Sequence, residues 1–140
     1  MKPKANQKRK CTLVFEAKYP ILGFENVHTY EFEAVDDNFA TIRNSEGGMP
    51  AFTLVNPFVL RDYAFDVPVA VRALMDLTHD TNMLIYLVLI VKKPFKESLA
   101  NFLAPIIFNV DNKTMAQVVL DEGIYTEYLA AEPLSKFIAE

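Results

Sequence analysis

Two apolar runs punctuated by proline and asparagine constrain the fold of this chain more than any other feature. The first covers residues 50–58 and the second covers residues 99–109. Proline has no amide hydrogen to donate to a sheet and holds the preceding residue in an extended conformation, so each run is typical of a short strand that ends in a turn. Neither run contains a side chain suited to catalysis. Their residues suit packing and surface recognition, which favours a binding protein.

Alternation of apolar and charged side chains identifies the clearest strand. Tyr, Phe and Ala alternate with Glu from Thr29 to Ala34, which predicts a half-buried strand. The turn Asp36–Asn38 that follows it predicts a hairpin. Other strands, bounded by Gly, Pro, Asn or Asp, are predicted at 12–16, 39–43, 51–55, 83–91, 104–109 and 116–120. The last two of these flank a predicted turn at 110–114.

One segment has the pattern of an α-helix. It spans Asp66–Leu77, with Asp66 as the N-cap and Pro68 in the first turn. The apolar residues predicted to share one face of this helix are Val67, Val71, Leu74 and Met75. Segments 125–129 and 134–138 are predicted to form short terminal helices.

These elements predict a mainly β fold, a single-domain β-roll or small β-barrel-like structure with one or two short helices. The 140 residues suit one domain with its own core, which we place at residues 11–140. Residues 1–10 are polar and basic without an apolar period, so they are predicted to form a flexible tail. A solubilising extension is the favoured interpretation of this tail, because an RNA-binding arm would have interleaved aromatic residues.

Charge is distributed unevenly along the chain. The first ten residues hold five cations, and the remaining 9 Lys and Arg face all 18 Asp and Glu, so the rest of the chain carries −9. A strongly acidic body repels nucleic acid and attracts basic partners. The acidic residues of the last twenty positions are Asp121, Glu122, Glu127, Glu132 and Glu140.

Cysteine usage and hydropathy bear on the compartment. Cys11 is the only cysteine, so no intramolecular disulfide and no cysteine-based metal cluster can form, which fits a reducing cytoplasm. Charged residues and a proline between 16 and 20 interrupt any signal-peptide hydrophobic region. The apolar run 83–91 is too short to span a bilayer as a helix. We therefore predict a cytoplasmic protein with no membrane partner.

Catalytic and metal-binding patterns are weak throughout the sequence. His28 and His79 do not have the spacing of metal ligands, so surface or capping roles are favoured for them. Adjacent acids such as Asp36–Asp37 lie in turns, which lack the apolar surroundings that carboxylates need for acid–base catalysis. Lys96 and Ser98 lack the spacing of a Ser/Lys catalytic pair. We predict no catalytic, cofactor-binding or metal-binding residue, and therefore no enzyme.

Four stretches, in a fixed order, carry a family resemblance. They are residues 15–25, which end in Pro-Ile-Leu-Gly-Phe-Glu; residues 51–58, which lead to Asp62-Tyr63; residues 101–109, which contain Ala-Pro-Ile-Ile-Phe-Asn; and residues 117–120. Together they cover most of the chain, and they resemble the FliW family of flagellar assembly factors. Tyr19 and Leu22 depart from the family's Gly and Pro, and one extra residue follows Asn101.

This resemblance implies a non-enzymatic cytoplasmic regulator that needs no cofactor. FliW-like proteins bind newly made flagellin and also CsrA, a small dimeric RNA-binding protein that represses translation of flagellin mRNA. Binding of CsrA relieves that repression, and accumulating flagellin frees CsrA again. Such a protein would bind no nucleic acid directly, and we expect a monomer when it is free.

Two groups of residues are candidates for partner binding. Asp36 and Asp37, together with the C-terminal acidic residues, are expected to steer a basic partner such as CsrA. The candidate contact residues near strand ends are Asn56, Phe58, Asp62, Tyr63 and Asn101. A small-molecule-binding β-barrel remains the alternative function, because apolar mainly-β domains can hold ligands.

Overall fold

Nine strands and one α-helix lie within residues 12–138, the part of the chain that this computed structural model describes. The strands are β1 Thr12–Tyr19, β2 Thr29–Ala34, β3 Phe39–Asn44, β4 Ala51–Val55, β5 Met83–Ile90, β6 Leu99–Ala100, β7 Ile106–Asn109, β8 Thr114–Gln117 and β9 Glu132–Pro133. The helix α1 covers Val69–Met75, and short 3-10 turns cover Pro57–Val59, Phe95–Glu97, Thr126–Tyr128 and Leu134–Lys136. The predicted tail at residues 1–10 and Cys11 lie outside the described residues.

Seven of these strands close into a barrel. Their order is β5-β4-β3-β2-β1-β8-β7, and β7 returns to pair with the first half of β5, with Met83 opposite Asn109. All neighbours are antiparallel except β1 and β8, which run parallel. The end of β5 leaves the ring and pairs with β6, which in turn pairs with β9. The prediction of a mainly β, barrel-like fold is confirmed.

Side chains alternate between two cores, one on each side of the barrel wall. Leu54 points into the barrel, whereas the next residue, Val55, belongs to the outer core. On β7, Ile107 likewise faces the outer core between two neighbours that face the interior. Because both faces of these strands are covered, their sequences are continuous apolar runs and do not alternate between apolar and polar residues. The helix α1 and the C-terminal turns cover the outer core.

The helix differs from its prediction at its start. Asp66 is not the N-cap; Pro68 occupies that position, and no side chain caps the helix. The proline ring disfavours a helical conformation at Val67, so the helix cannot begin earlier. Val71 and Met75 are buried as predicted, but Leu74 is 46% exposed because only one narrow stripe of this short helix meets the core.

Several other boundaries shift for reasons of pairing. β1 continues to Tyr19, three residues beyond its predicted end, because its second half pairs with β8. β7 begins only after Pro105, which has no amide to donate, and β8 begins at Thr114, directly opposite Asn109. The predicted terminal helices are single 3-10 turns. Within residues 12–138 no helix is both long and apolar enough to cross a membrane.

Candidate functional site

Two loops that are separate in sequence lie side by side at one end of the barrel. β3 pairs with β2 on one side and with β4 on the other, and Phe39 at its start lies opposite Val55. The turn after β2 therefore meets the loop after β4. The amide of Asn56 donates to the carbonyl of Asn38 at 2.8 Å, and its Nδ2 donates to the carbonyl of Asp37 at 3.3 Å. Asn56 thus joins the two predicted regions.

Asn56 also shapes the loop that follows it. Its backbone is extended, and its Oδ1 accepts a hydrogen bond from the amide of Phe58 at 3.0 Å. This is an N-cap for the 3-10 turn Pro57–Val59, and asparagine is among the residues best suited to that position. The side chain of Asn56 is therefore committed to holding the loop, while the residues that it positions form the surface.

Phe58 is the most prominent apolar residue of this loop. Its side chain is 57% exposed, and the neighbouring Val59 is 43% exposed. The ring of Phe58 contacts that of Tyr63 edge-on, with centroids 6.2 Å apart. An exposed aromatic ring on a loop braced from below can be desolvated by a partner with little loss of conformational entropy. We call the exposed residues Asp37, Phe58, Val59 and Asp62 the Phe58 surface.

The two aspartates of the β2–β3 turn have different roles. Asp36 Oδ1 accepts hydrogen bonds from the amides of Asn38 and Phe39, at 2.8 and 2.9 Å, so this carboxylate shapes the turn. Asp37 is exposed, and the ion pairs found within residues 12–138 include neither aspartate. Burial raises the pKa of the nearby Tyr86, and the negative charges of Asp36 and Asp37 raise it further.

Tyr63 lies beneath the Phe58 surface rather than on it. The residue is 6% exposed, and its hydroxyl donates to the carbonyl of Phe102 at 2.7 Å. Burial raises the pKa of Tyr63, with a further contribution from Tyr128. In this conformation the ring can support the loop but cannot be reached by a partner. Its neighbour Asp62 is exposed.

Asn101 is positioned by the connection between β6 and β7. It is half-buried, its amide donates to the carbonyl of Val88, and its Oδ1 accepts from the amide of Leu103 at 3.1 Å. It precedes Phe102, whose carbonyl accepts the Tyr63 hydroxyl. Asn101 is therefore linked to the Phe58 surface only indirectly, through the buried residues Phe102 and Tyr63. Its own side chain shapes a turn.

Arg61 is a residue of this region that the sequence did not single out. Its guanidinium lies over the rings of Phe102, Tyr128 and Phe137, at 5.0, 5.2 and 5.8 Å. Its Nη1 is 3.4 Å from a carboxylate oxygen of Glu132. The three rings and Glu132 are all distant from Arg61 in the sequence. The sequence around Arg61 therefore contains no pattern that predicts these contacts, beyond the apolar residues that precede it.

Glu132 is consequently less available to a partner than its place among the C-terminal acids predicts. It pairs with Lys136 as well as with Arg61, and its side chain is only 17% exposed. Asp121, Glu122 and Glu127 are exposed. The acidic surface near the C-terminus therefore depends on these three residues within the described part of the chain.

Ser98 and the two histidines, considered above for catalysis and metal binding, have ordinary structural surroundings. Ser98 is buried, and its Oγ accepts a hydrogen bond from the amide of Lys92 at 2.9 Å. His28 and His79 are exposed. Residues 12–138 contain no cluster of three or more His, Cys, Asp or Glu able to hold a metal ion.

Aromatic rings fill the barrel interior. The rings of Phe15, Phe32 and Phe108 pack against one another with centroids 5.0 to 5.9 Å apart. Each of these residues is at most 4% exposed. The interior of this barrel is thus a packed core, and it does not have the form of the open ligand cavity that some barrels enclose.

A small closed barrel with a packed interior, one short helix and a braced aromatic loop defines a compact β domain with an exposed aromatic side chain on its surface. Comparison with known proteins identifies its family. Residues 4–134 match the family model described as FliW protein, so the chain belongs to the FliW family.

Individual relatives agree with this assignment. The chain is 49% identical over 123 residues to "Flagellar assembly factor FliW 2" of Wolinella succinogenes, covering 88% of this chain and 90% of that protein. It is 40% identical over 124 residues to "Flagellar assembly factor FliW" of Sulfurimonas denitrificans, covering 89% and 97%. A crystal structure of the flagellar assembly factor FliW has the same fold, with a TM-score of 0.77 at 24% identity, covering 86% of this chain and 84% of that one.

Proposed function

We propose that this chain is a non-enzymatic cytoplasmic regulator of flagellum assembly that acts by binding two partner proteins in turn. Bound to CsrA, it relieves repression of flagellin mRNA translation; bound to flagellin, it releases CsrA. Membership of the FliW family supports this proposal. The single structural observation that carries it is the exposed ring of Phe58, held at 57% exposure on a loop that Asn56 and Tyr63 brace. Residues 11–140 would form the binding domain.

The charge of the chain also supports a basic partner. Residues 12–138 contain nearly twice as many Asp and Glu as Lys and Arg. RNA-binding proteins are commonly basic, and opposite charges raise the rate of association. Asp37 stands next to Phe58 through the hydrogen bonds of Asn56. The Phe58 surface therefore combines an apolar anchor with a negative charge.

The direct test is size-exclusion chromatography with light scattering on the purified chain, alone and mixed with CsrA from the same bacterium. We expect a monomer for the free chain, a defined complex with CsrA, and loss of that complex when flagellin is added. A chain that forms no complex with either protein would contradict the proposal.

Replacement of Phe58 tests the apolar anchor. We expect Phe58→Ala to weaken the affinity for CsrA or flagellin by about thirtyfold, because truncation of a central aromatic residue at an interface commonly costs about 2 kcal/mol. Isothermal titration calorimetry measures this change. Ile124→Ala is the matched control, since Ile124 is an exposed apolar residue, at 69%, outside the Phe58 surface. Equal affinities of the two variants for both partners would remove Phe58 from the interface.

Charge reversal at Asp37 tests the steering of a basic partner. Asp37→Lys leaves the Asp36 hydrogen bonds of the turn intact, so the fold should be unchanged. We expect the affinity for CsrA to fall about fivefold at low salt, corresponding to about 1 kcal/mol, and the difference to shrink at high salt. Glu46→Lys, in the turn between β3 and β4, is the control. An equal loss of affinity in the two variants would show that binding depends on the net charge of the chain and not on the position of Asp37.

A further inference from the structure

A second surface of the barrel combines apolar side chains with positive charge. Phe39 at the start of β3 and Phe95 in the 3-10 turn Phe95–Glu97 pack edge-on, with ring centroids 5.4 Å apart. Together with Leu134 and Ile138 they line a groove of about 250 Å³, which we call the Phe95 groove. Phe95 and Ile138 are 45% and 39% exposed, whereas Leu134, at 2%, forms the floor.

Further exposed apolar side chains lie on the stretch of chain that leads to Phe95. Ile90, the last residue of β5, is 52% exposed, and Val91 is 56% exposed. Large apolar side chains scattered singly on a surface are ordinary, but several exposed ones on the stretch of chain that also forms a groove favour a protein-binding site. Ile90, Val91 and Phe95 come from one stretch of chain, from the end of β5 to the 3-10 turn at Phe95–Glu97.

Lysines border this apolar stretch. Lys92, Lys93 and Lys96 are exposed, and they are three of the nine Lys and Arg within residues 12–138. None of the four ion pairs in that part of the chain involves them. Glu97 lies in the same turn, and Asp37 lies on the far side of the groove, next to Asn38. Lys96 lines the groove, and Lys92 and Lys93 precede it by four and three residues in the sequence, so the groove is bordered by positive charge on the side of this segment only.

The volume of the groove indicates what kind of group it can bind. Sites for small organic ligands usually enclose about 300–1,000 Å³. The Phe95 groove is smaller and matches one large anchoring side chain, the unit by which protein interfaces are commonly held. The three lysines favour carboxylates beside that anchor. A short segment of protein satisfies both conditions at once.

We propose that the Phe95 groove binds an acidic segment of a partner protein, which inserts one aromatic or large aliphatic side chain between Phe39, Phe95 and Ile138. The carboxylates of that segment lie along Lys92, Lys93 and Lys96. The lysine side of this site differs from the Phe58 surface in the sign of its charge, so it recognises a different kind of partner surface. The proposal does not depend on the exchange of CsrA for flagellin.

The test selects binders from a phage-displayed library of random peptides of about twelve residues, a length that spans a groove of this kind. The bait is the full chain. We expect the selected peptides to share one aromatic or large aliphatic residue flanked by Asp or Glu. Fluorescence anisotropy with a labelled synthetic copy of the most enriched peptide then measures its affinity for the chain and for its variants.

Two variants locate the binding. Phe95→Ser removes the apolar wall, and the triple variant Lys92→Glu, Lys93→Glu and Lys96→Glu reverses the rim. Each should weaken the peptide about tenfold or more. Leu22→Ser, which replaces a residue that is 63% exposed, and Arg72→Glu, which reverses an exposed cation on α1, are the controls and should leave the affinity unchanged. The lysines are exposed, so the triple variant tests the proposal even if Phe95→Ser proves unstable.

Three outcomes would overturn the proposal. One is a selection without an acidic and apolar consensus. Another is a consensus peptide whose affinity neither groove variant changes. The third is a dimer in light scattering that Phe95→Ser dissociates, which would show that a second copy of the chain covers the groove.

Discussion

Arg61 shows how much one residue can connect. It links the loop after β4 to Glu132, 71 residues later in the sequence. Its guanidinium also lies over three aromatic rings. We expect Arg61→Ala to lower the free energy of unfolding by about 1–2 kcal/mol, because cation–π contacts of a partly desolvated arginine and the packing of its stem are lost together.

Urea denaturation measures this change, and Arg43→Ala supplies the control. Arg43 pairs with Glu31, but its side chain is 64% exposed, against 24% for Arg61. An exposed pair of this kind contributes about 0.5 kcal/mol. Equal losses in the two variants would show that the aromatic surroundings of Arg61 add nothing.

At single positions the sequence predicted side-chain surroundings less well than strand locations. Phe58 and Tyr63 both lie in an irregular loop, where no period indicates which side chain faces the core. The structure exposes the first ring and buries the second, because the carbonyl of Phe102 is available to the Tyr63 hydroxyl. That carbonyl is brought there by distant pairing, which no local pattern contains.

At the scale of elements, strands bounded by turn residues were predictable and the limits of α1 were not. The strand predictions at Thr29–Ala34 and Ala51–Val55 match the structure. The helix is shorter because Pro68 delays its start and Asp76 ends it in the left-handed conformation, with φ 56°. The Leu77 amide then bonds back to the carbonyl of Arg72 at 2.9 Å.

The end of α1 gives a prediction at this scale. An aspartate in the left-handed region carries a cost that glycine avoids, and glycine is the preferred residue at this place in a helix. We expect Asp76→Gly to raise the free energy of unfolding by about 0.5–1 kcal/mol, measured as an upward shift of Tm. Ala73→Gly, inside the helix, should shift Tm downward. A decrease of Tm in both variants would show that the Asp76 side chain contributes more than its backbone strain costs.

The whole molecule should lose stability at alkaline pH. Burial raises the pKa values of Tyr30, Tyr63 and Tyr86 above their ordinary value of about 10. Above that pH the unfolded chain releases these protons while the folded chain retains them, so the free energy of unfolding falls as pH rises. Below about pH 9 the three groups are protonated in both states, and their contribution is constant.

Thermal melts across this pH range, followed by circular dichroism, measure the fall. Tyr63→Phe should have a lower Tm at neutral pH, because the carbonyl of Phe102 loses its donor, and a shallower decline above pH 10. A decline of unchanged slope in the variant would mean that Tyr63 does not contribute to the alkaline loss.

The parallel pairing of β1 with β8 bears on how the protein is made. Glu16 lies opposite Thr114, so the barrel wall stays open until the ribosome has added about a hundred residues after the first strand. At typical synthesis rates that takes roughly 5–20 s. During this interval the rings of Phe15 and Phe32 lack some of the side chains that surround them in the folded barrel, such as Phe108. Each new molecule therefore gains its folded surfaces only after nearly all of its chain has emerged, so several seconds separate synthesis of the first strand from the earliest time at which the chain can bind a partner.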